Sequence, residues 1–219
     1  LWVNLYVQGS AKAKVAGVPV ELDVTTDYPW DGKVTFHFKL AKPTKFELRL
    51  RDPGWCQDTT RSLNGERDSS GVEVTQAGYF VFQREWKSGD KVELDFQMPV
   101  QRIAANPNVK ANQDLIALQR GPLVYCVEAV DHVEPLSSLY VPAEAELKPV
   151  RQTFPLRDVM VIQGLAQVSP EQDWHRQLYQ TAPTTRTTPL TAIPYYIWDN
   201  RQTSGAMKVW LPVAPPGPK

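Results

Sequence analysis

Three histidines, two cysteines and twenty-four carboxylic acids are the side chains in these 219 residues from which catalysis could be built. His37, His132 and His175 are too far apart for the close spacing of a metal-binding pair. Neither a His-Glu-x-x-His nor a Cys-x-x-Cys pattern occurs. His37 falls on the wet side of an alternating segment and reads as a surface histidine. The run Glu128-Ala129-Val130-Asp131-His132 gathers three side chains able to ligate a metal, but a run of this kind at a strand end reads first as a solvated cluster. No Gly-x-Ser-x-Gly elbow and no Gly-rich phosphate loop is found. Ordinary glycoside hydrolysis needs two carboxylates across the scissile bond. Asp27 and Asp31 flank Tyr28-Pro29-Trp30, yet Asp31-Gly32 is better explained as a turn. Cys56 ends the string Arg51-Asp52-Pro53-Gly54-Trp55-Cys56, where a nearby positive charge could activate a thiol. No histidine base is near it in sequence, so it reads as a packed structural thiol. Cys126 lies in an apolar run and reads as an inert buried one. The two should remain unpaired. Among the seven tryptophans, Trp30, Trp55 and Trp86 lie at or near turns. They form a candidate sugar platform, since aromatic faces pack against sugar rings; the competing reading has them plugging the ends of a β-sandwich.

The elements that would position these groups are strands. Val34, Phe36, Phe38 and Leu40 alternate with Lys33, Thr35, His37 and Lys39; Val92, Leu94, Phe96 and Met98 alternate with Lys91, Glu93, Asp95 and Gln97. Val20 to Thr25 and Lys45 to Arg51 follow the same period of two. Each predicts a strand with one buried face. Pro29-Trp30-Asp31-Gly32, Asp52-Pro53-Gly54, Asn64-Gly65 and Ser88-Gly89-Asp90 supply the turns. The pattern lapses between Gln101 and Asn112. Beyond it, Leu115–Leu118 and Leu123–Val127 run apolar without alternation, which predicts burial on both faces. Residues 131–157 read as a long irregular loop with short strands. Residues 169–189 read as a polar loop with a helical turn near 171–178. Val159–Ile162, Ile193–Trp198 and Met207–Leu211 read as strands. The expected fold is all-β: two consecutive antiparallel β-sandwiches of jelly-roll type, residues 1–105 and 106–212, followed by a disordered proline-rich tail, 213–219.

Composition narrows the function classes. Lys plus Arg and Asp plus Glu are 24 each, so there is no basic footprint for nucleic acid or anionic lipid. No apolar run approaches the roughly 20 residues of a membrane span. Two cysteines exclude a disulfide scaffold. Nineteen prolines argue against long helices. Leu1–Val7 is strand-like without an initiator Met, which suggests a piece of a longer protein and leaves localisation open between cytoplasm and periplasm.

Several strings, taken in order, carry a resemblance: Val3-Asn4-Leu5-Tyr6, Tyr28-Pro29-Trp30-Asp31-Gly32, Arg51 to Cys56, Asn64-Gly65, Gly78-Tyr79, Trp86 to Asp90, Arg120 to Cys126, Ile193 to Tyr196, Asn200-Arg201 and Met207 to Trp210. Together they resemble the C-terminal part of glycoside hydrolase family 127, the β-L-arabinofuranosidases. The resemblance implies an (α/α)6 barrel followed by two β-sandwiches. It places a cysteine nucleophile, a glutamate acid/base and a zinc in the barrel, upstream of this chain. No catalytic, cofactor-binding or metal residue then falls on these residues. The expectation is a non-catalytic accessory part of a glycoside hydrolase that supports the barrel. A carbohydrate-binding module for arabinose-containing glycans and a homo-oligomerisation module are the alternatives.

Overall fold

The computed structural model describes residues 1–67, 78–154, 158–169, 178–179, 181, 184–201 and 205–214. The chain divides into two compact units, Leu1–Met98 and Pro99–Lys219. Both are built from strands, antiparallel except where Trp2–Val3 runs parallel to Thr44–Arg51; among the described residues the helical turns are three short 3-10 segments, Lys110–Asn112, Ala129–Asp131 and Tyr195–Ile197.

The first unit contains β1 (Trp2–Val3), β2 (Gly9–Val15), β3 (Val18–Thr26), β4 (Lys33–Leu40), β5 (Thr44–Arg51), β6 (Thr59–Leu63), β7 (Glu66–Arg67), β8 (Tyr79–Trp86) and β9 (Lys91–Phe96). They form a six-stranded sheet, β2-β3-β4-β9-β6-β7, and a three-stranded sheet, β1-β5-β8. The period-two pattern explains the sandwich. Val34, Phe36 and Phe38 of β4 and Val92, Leu94 and Phe96 of β9 point inward. They meet Leu48, Leu50, Phe80, Phe82 and Trp86 of the smaller sheet in one core. Each such side chain contributes about 1.5–3 kcal/mol by leaving water. The turn entering β4 is tied to its own backbone: Trp30 N–H donates to Asp27 O at 2.8 Å and Lys33 N–H to Asp31 Oδ1 at 2.7 Å. The Asp31-Gly32 pair therefore makes the expected turn. At Gly32 a Cβ would stand 1.9 Å from the Phe96 carbonyl oxygen, while Phe96 N–H donates to Gly32 O at 3.0 Å. Only glycine fits against the end of β9.

The second unit contains β10 (Val100–Ala104), β11 (Leu115–Arg120), β12 (Leu123–Glu128), β13 (Leu139–Tyr140), β14 (Leu147–Thr153), β15 (Asp158–Val168), β16 (Arg186–Pro194), β17 (Met207–Lys208) and β18 (Trp210–Pro212). The main path is β10-β11-β12-β16-β15-β13, with β14 on β15, β17 on β12 and β18 on β11. These strands enclose a second core of Ile116, Leu118, Tyr125, Val127, Leu139, Ile162, Leu190 and neighbours.

Several expectations shift here. The boundary expected at 105/106 lies inside the second unit, because Val100–Ala104 pairs with Leu115–Arg120 of that unit; Pro99 has no N–H with which to extend the β9 ladder. The irregular loop with short strands expected over 131–157 holds β13, of two residues, and the longer β14, of seven. Pro149 is tolerated in β14, which pairs only with β15, an edge position where a missing donor is harmless. The strand expected over Ile193–Trp198 is the end of β16, and Tyr195–Ile197 turns away as a 3-10 segment. Met207–Leu211 divides between two partner strands. The tail expected to begin at residue 213 is anchored at its first residue, where Val213 N–H donates to Asp114 O at 3.2 Å. Residues 215–219 and, up to residue 177, the helical turn expected near 171–178 lie outside the described residues, as does His175. Burial of Ile116, Ala117 and Leu118, and of Tyr125, Cys126 and Val127, fits the non-alternating pattern, but Val124 is 42% exposed, so burial on both faces does not extend to the start of β12.

Candidate functional site

At the start of the first unit, β1 runs parallel to β5, and the chain then crosses to β2. Between them opens an apolar groove of about 380 Å3, lined among others by Trp2, Leu5, Val7, Ala11, Ala13 and Val24. Trp2, Leu5 and Val7 are 54%, 71% and 66% exposed. The wall is held in place: the Arg49 guanidinium lies 4.5 Å over the Trp2 ring, the Tyr79 ring meets Trp2 edge-on at 4.9 Å, and Tyr79 Oη donates to Asn4 Oδ1 at 2.9 Å. Among the described residues no ionisable side chain lines the groove. Its mostly apolar walls can bury an apolar partner.

The three tryptophans of the expected platform are scattered through one interior. Trp86 has no exposure; it stacks on Phe38 at 4.5 Å and donates from Nε1 to Phe46 O at 3.1 Å. It has no face left for a sugar ring, which corrects that part of the expectation. Trp30 is buried as well. Trp55 is half-buried, edge-on to Phe96 at 5.8 Å. In these places the rings act as the plugs of a sandwich.

Cys56 Sγ donates to Asp58 O at 3.1 Å and accepts from Thr59 Oγ1 at 3.5 Å. It is built into a turn, with no histidine among the side chains bonded to it. Both cysteines are free thiols. Cys126 is buried, and burial pushes its thiol up to about 11, so it stays protonated at neutral pH.

Around Cys126 the second unit holds a polar clip that the run Glu128–His132 only half announced. Arg201 binds both oxygens of Asp131, Nη1 to Oδ1 at 2.5 Å and Nη2 to Oδ2 at 2.8 Å. The same Nη2 donates to Glu128 Oε2. Asp199 N–H donates to Glu128 Oε1 at 2.8 Å. His132 lies between strands: its Nδ1–H donates to Glu128 O at 2.8 Å, and its Nε2 accepts from Thr191 N–H at 3.3 Å. That pair of contacts requires the neutral ring. Burial accordingly lowers the His132 pKa, against the opposing charge of Asp131. The single guanidinium of Arg201 thus bridges both carboxylates of the clip, and burial raises the pKa of Asp131. Arg201 and Asp199 had no local signal in the sequence beyond the Asn200-Arg201 string.

The described residues contain no group of three or more His, Cys, Asp or Glu side chains placed to hold a metal ion. They therefore offer the zinc implied by the resemblance no ligand set.

Two successive β units, the first with an apolar groove beside β1 and β2, define an all-β class of module. The comparisons with known proteins are specific. Residues 1–98 match the family model "Beta-L-arabinofuranosidase, GH127 middle domain" and residues 100–212 match the "Glycoside hydrolase family 127 C-terminal domain". The chain belongs to glycoside hydrolase family 127. It is 30% identical to the non-reducing end β-L-arabinofuranosidase of Bifidobacterium longum subsp. longum, with 84% of this chain and 29% of that protein covered. Its fold is similar to the crystal structure of a family 127 β-L-arabinofuranosidase from Geobacillus stearothermophilus T6, with a TM-score of 0.88 and 40% identity over 96% of this chain and 33% of that one. A second solved family 127 β-arabinofuranosidase is similar at a TM-score of 0.84 and 29% identity, over 97% of this chain and 34% of that one. The chain spans about a third of the length of these relatives.

Proposed function

We propose that this chain is the non-catalytic, accessory part of a β-L-arabinofuranosidase-type glycoside hydrolase, and that it supports the catalytic portion by docking it on the first unit. The observation that carries the reading is the groove formed by β1, β2 and β3, with Trp2, Leu5 and Val7 exposed along it. Contiguous apolar surface of this kind marks an interaction site. The match of residues 1–98 to a middle domain, together with coverage of about a third of the relatives, supports a catalytic portion of the same polypeptide as the occupant. In this reading the zinc and the reacting groups belong to that portion.

Two measurements test it. In the longer enzyme, Leu5→Asp combined with Val7→Asp is expected to loosen the contact, lowering the thermal midpoint and the hydrolysis of an aryl β-L-arabinofuranoside. In the isolated chain the same pair is expected to leave the fold intact. Unchanged behaviour of the longer enzyme overturns the docking. The isolated chain, supplied with zinc and reductant, is expected to show no turnover of the aryl glycoside. Turnover that disappears in Cys56→Ala would overturn the accessory reading. Sedimentation across concentrations reports the competing occupant, a second copy: a stable dimer broken by the Leu5 and Val7 changes would reassign the groove to self-association.

A further inference from the structure

The outer face of the six-stranded sheet carries a depression of about 260 Å3, separate from the apolar groove. Strand register builds it. Lys33 and Thr60 flank Asp95 from the two neighbouring strands; Thr35 and Ser62 flank Glu93 in the same way. Val34 and Leu94, one residue on, point into the core, so these six side chains share the opposite face. Rows two residues apart on one strand are separated by about 7 Å, and neighbouring strands by about 4.8 Å. The result is a grid three strands wide and two rows deep, about the footprint of one monosaccharide. Threonine and serine in the outer columns are short, while Lys33 at one end and Lys91 beside Glu93 at the other are long. The short side chains make the floor and the long ones the rim.

The two carboxylates differ. Glu93 is engaged: Ser62 Oγ donates to Oε2 at 3.2 Å and Lys91 Nζ lies 3.0 Å from the same oxygen. Lys91 holds its carboxyl below the usual carboxylate range. Asp95 accepts no hydrogen bond or ion pair at its side chain from the described residues. The Lys33 ammonium and the Thr35 and Thr60 hydroxyls likewise have no side-chain partner among them. An ammonium, a free carboxylate and two hydroxyls thus converge on one recess.

We propose that this recess is a binding subsite for a neutral saccharide, with Asp95 accepting from two adjacent sugar hydroxyls, Lys33 donating to another, and Thr35 and Thr60 donating to or accepting from the rest. The charges favour that ligand class. Lys33 and Lys91 balance Asp95 and Glu93, so neither an anion nor a cation gains from entering. Alternating donors and acceptors suit a polyol, whose every hydroxyl is both. Among the described residues no aromatic ring lines the recess, so they add no stacking and binding should be weak, with a Kd on the order of 1 mM. The choice of sugar rests on the carbohydrate-enzyme reading above; the geometry of the site does not.

The test is a titration of the 15N-labelled full chain with L-arabinose, using D-galactose and inorganic phosphate as further probes. Saturable amide shifts confined to β4, β6 and β9 are expected with the sugars and not with phosphate. Asp95→Asn is expected to weaken binding about tenfold, as loss of charge-assisted hydrogen bonds does. Thr60→Val, close in shape but without the hydroxyl, should weaken it less. Shifts that are absent, non-saturating, spread over the whole sheet or insensitive to Asp95→Asn overturn the subsite. Tighter phosphate binding at the same amides overturns the ligand class. The docking measurements in the longer enzyme are independent of all these outcomes, so each proposal can fail alone.

Discussion

Both units enclose an apolar interior with antiparallel strands, but they treat polar groups differently. In the first, aromatic rings fill the core: Phe36, Phe38, Phe80, Phe82, Phe96 and Trp86. Of the polar atoms that enter, Trp86 Nε1 is satisfied by Phe46 O and Tyr6 Oη by Arg51 O, while Arg61 lies 4.9 Å over the Phe80 ring with its Nε buried and without a hydrogen bond among the described residues. Most charges lie on the wet face, as in the Lys39 contacts with Asp23 and Glu21; Asp90 is buried, where it accepts from Asn64 Nδ2 at 2.9 Å and Lys87 N–H at 2.8 Å. In the second, the core is mainly aliphatic. The other face of β12 is covered by ions: Glu128 lies on the same face as buried Cys126, and Arg201 draws Glu128 and Asp131 together. One unit is specified by shape, which is non-directional in its energetics. The other adds directional contacts whose loss strands charges. The two should therefore respond to different perturbations.

The largest expected effect strikes the aromatic core. Trp86→Ala removes a ring stacked on two others and should cost the first unit about 4 kcal/mol. Urea denaturation followed by hydrogen exchange should place the loss within residues 1–98; an equal loss of protection in the second unit would break the contrast. Next comes Arg201→Met, which leaves Glu128 and Asp131 without their cation. Removing one partner from a buried ion cluster costs several kcal/mol, and the partial exposure of this one reduces the expectation to about 2 kcal/mol. Adding Glu128→Gln and Asp131→Asn should recover part of it. A triple variant no better than the single would show that packing of Arg201 on Phe154, 5.4 Å from its guanidinium, matters more than charge.

A pH dependence should belong to the second unit. The folded state keeps His132 neutral and its pKa below the ordinary 6.5. The unfolded chain therefore binds the proton first, and the histidine's contribution is full above about 6.5 and lost as pH falls through the lowered folded value. One proton limits the slope to about 1.4 kcal/mol per pH unit. His132→Gln should flatten the dependence between pH 7 and 5 when unfolding is followed by fluorescence; an unaltered slope would assign it to another group. The smallest effect is expected at Lys39→Ala, whose exposed pairs are screened by water. Its denaturation midpoint should match the parent. A shift comparable to that of Arg201→Met would erase the distinction between wet-face and clip charges.

The legible parts of the sequence were those with one wet face. β4 and β9 alternate strictly, and their inward and outward residues are where the period placed them. β2 was less visible, because Ala11 and Ala13 give little apolar contrast to Lys12 and Lys14. β8 escaped notice although Phe80 and Phe82 alternate inward, since Val81 between them is apolar too. The clip could not be read, as Arg201 stands 70 residues from Asp131 and only the fold joins them. The polar recess depends on register across β4, β9 and β6, which no single strand records. Tryptophans near turns suggested an exposed platform, but proximity to a turn does not set which side of the sheet a ring occupies.

Gly32 has a consequence for anyone diversifying this scaffold. Its missing side chain is what lets the loop backbone touch the end of β9, so no rotamer choice or neighbouring repack relieves a substitution there. A saturation library across 28–33 should yield glycine alone among folded clones at that position, while Lys33, exposed beside it, accepts most residues. The position is thus a built-in benchmark of selection stringency: a screen that returns alanine at 32 is retaining molecules whose first unit has lost its native closure.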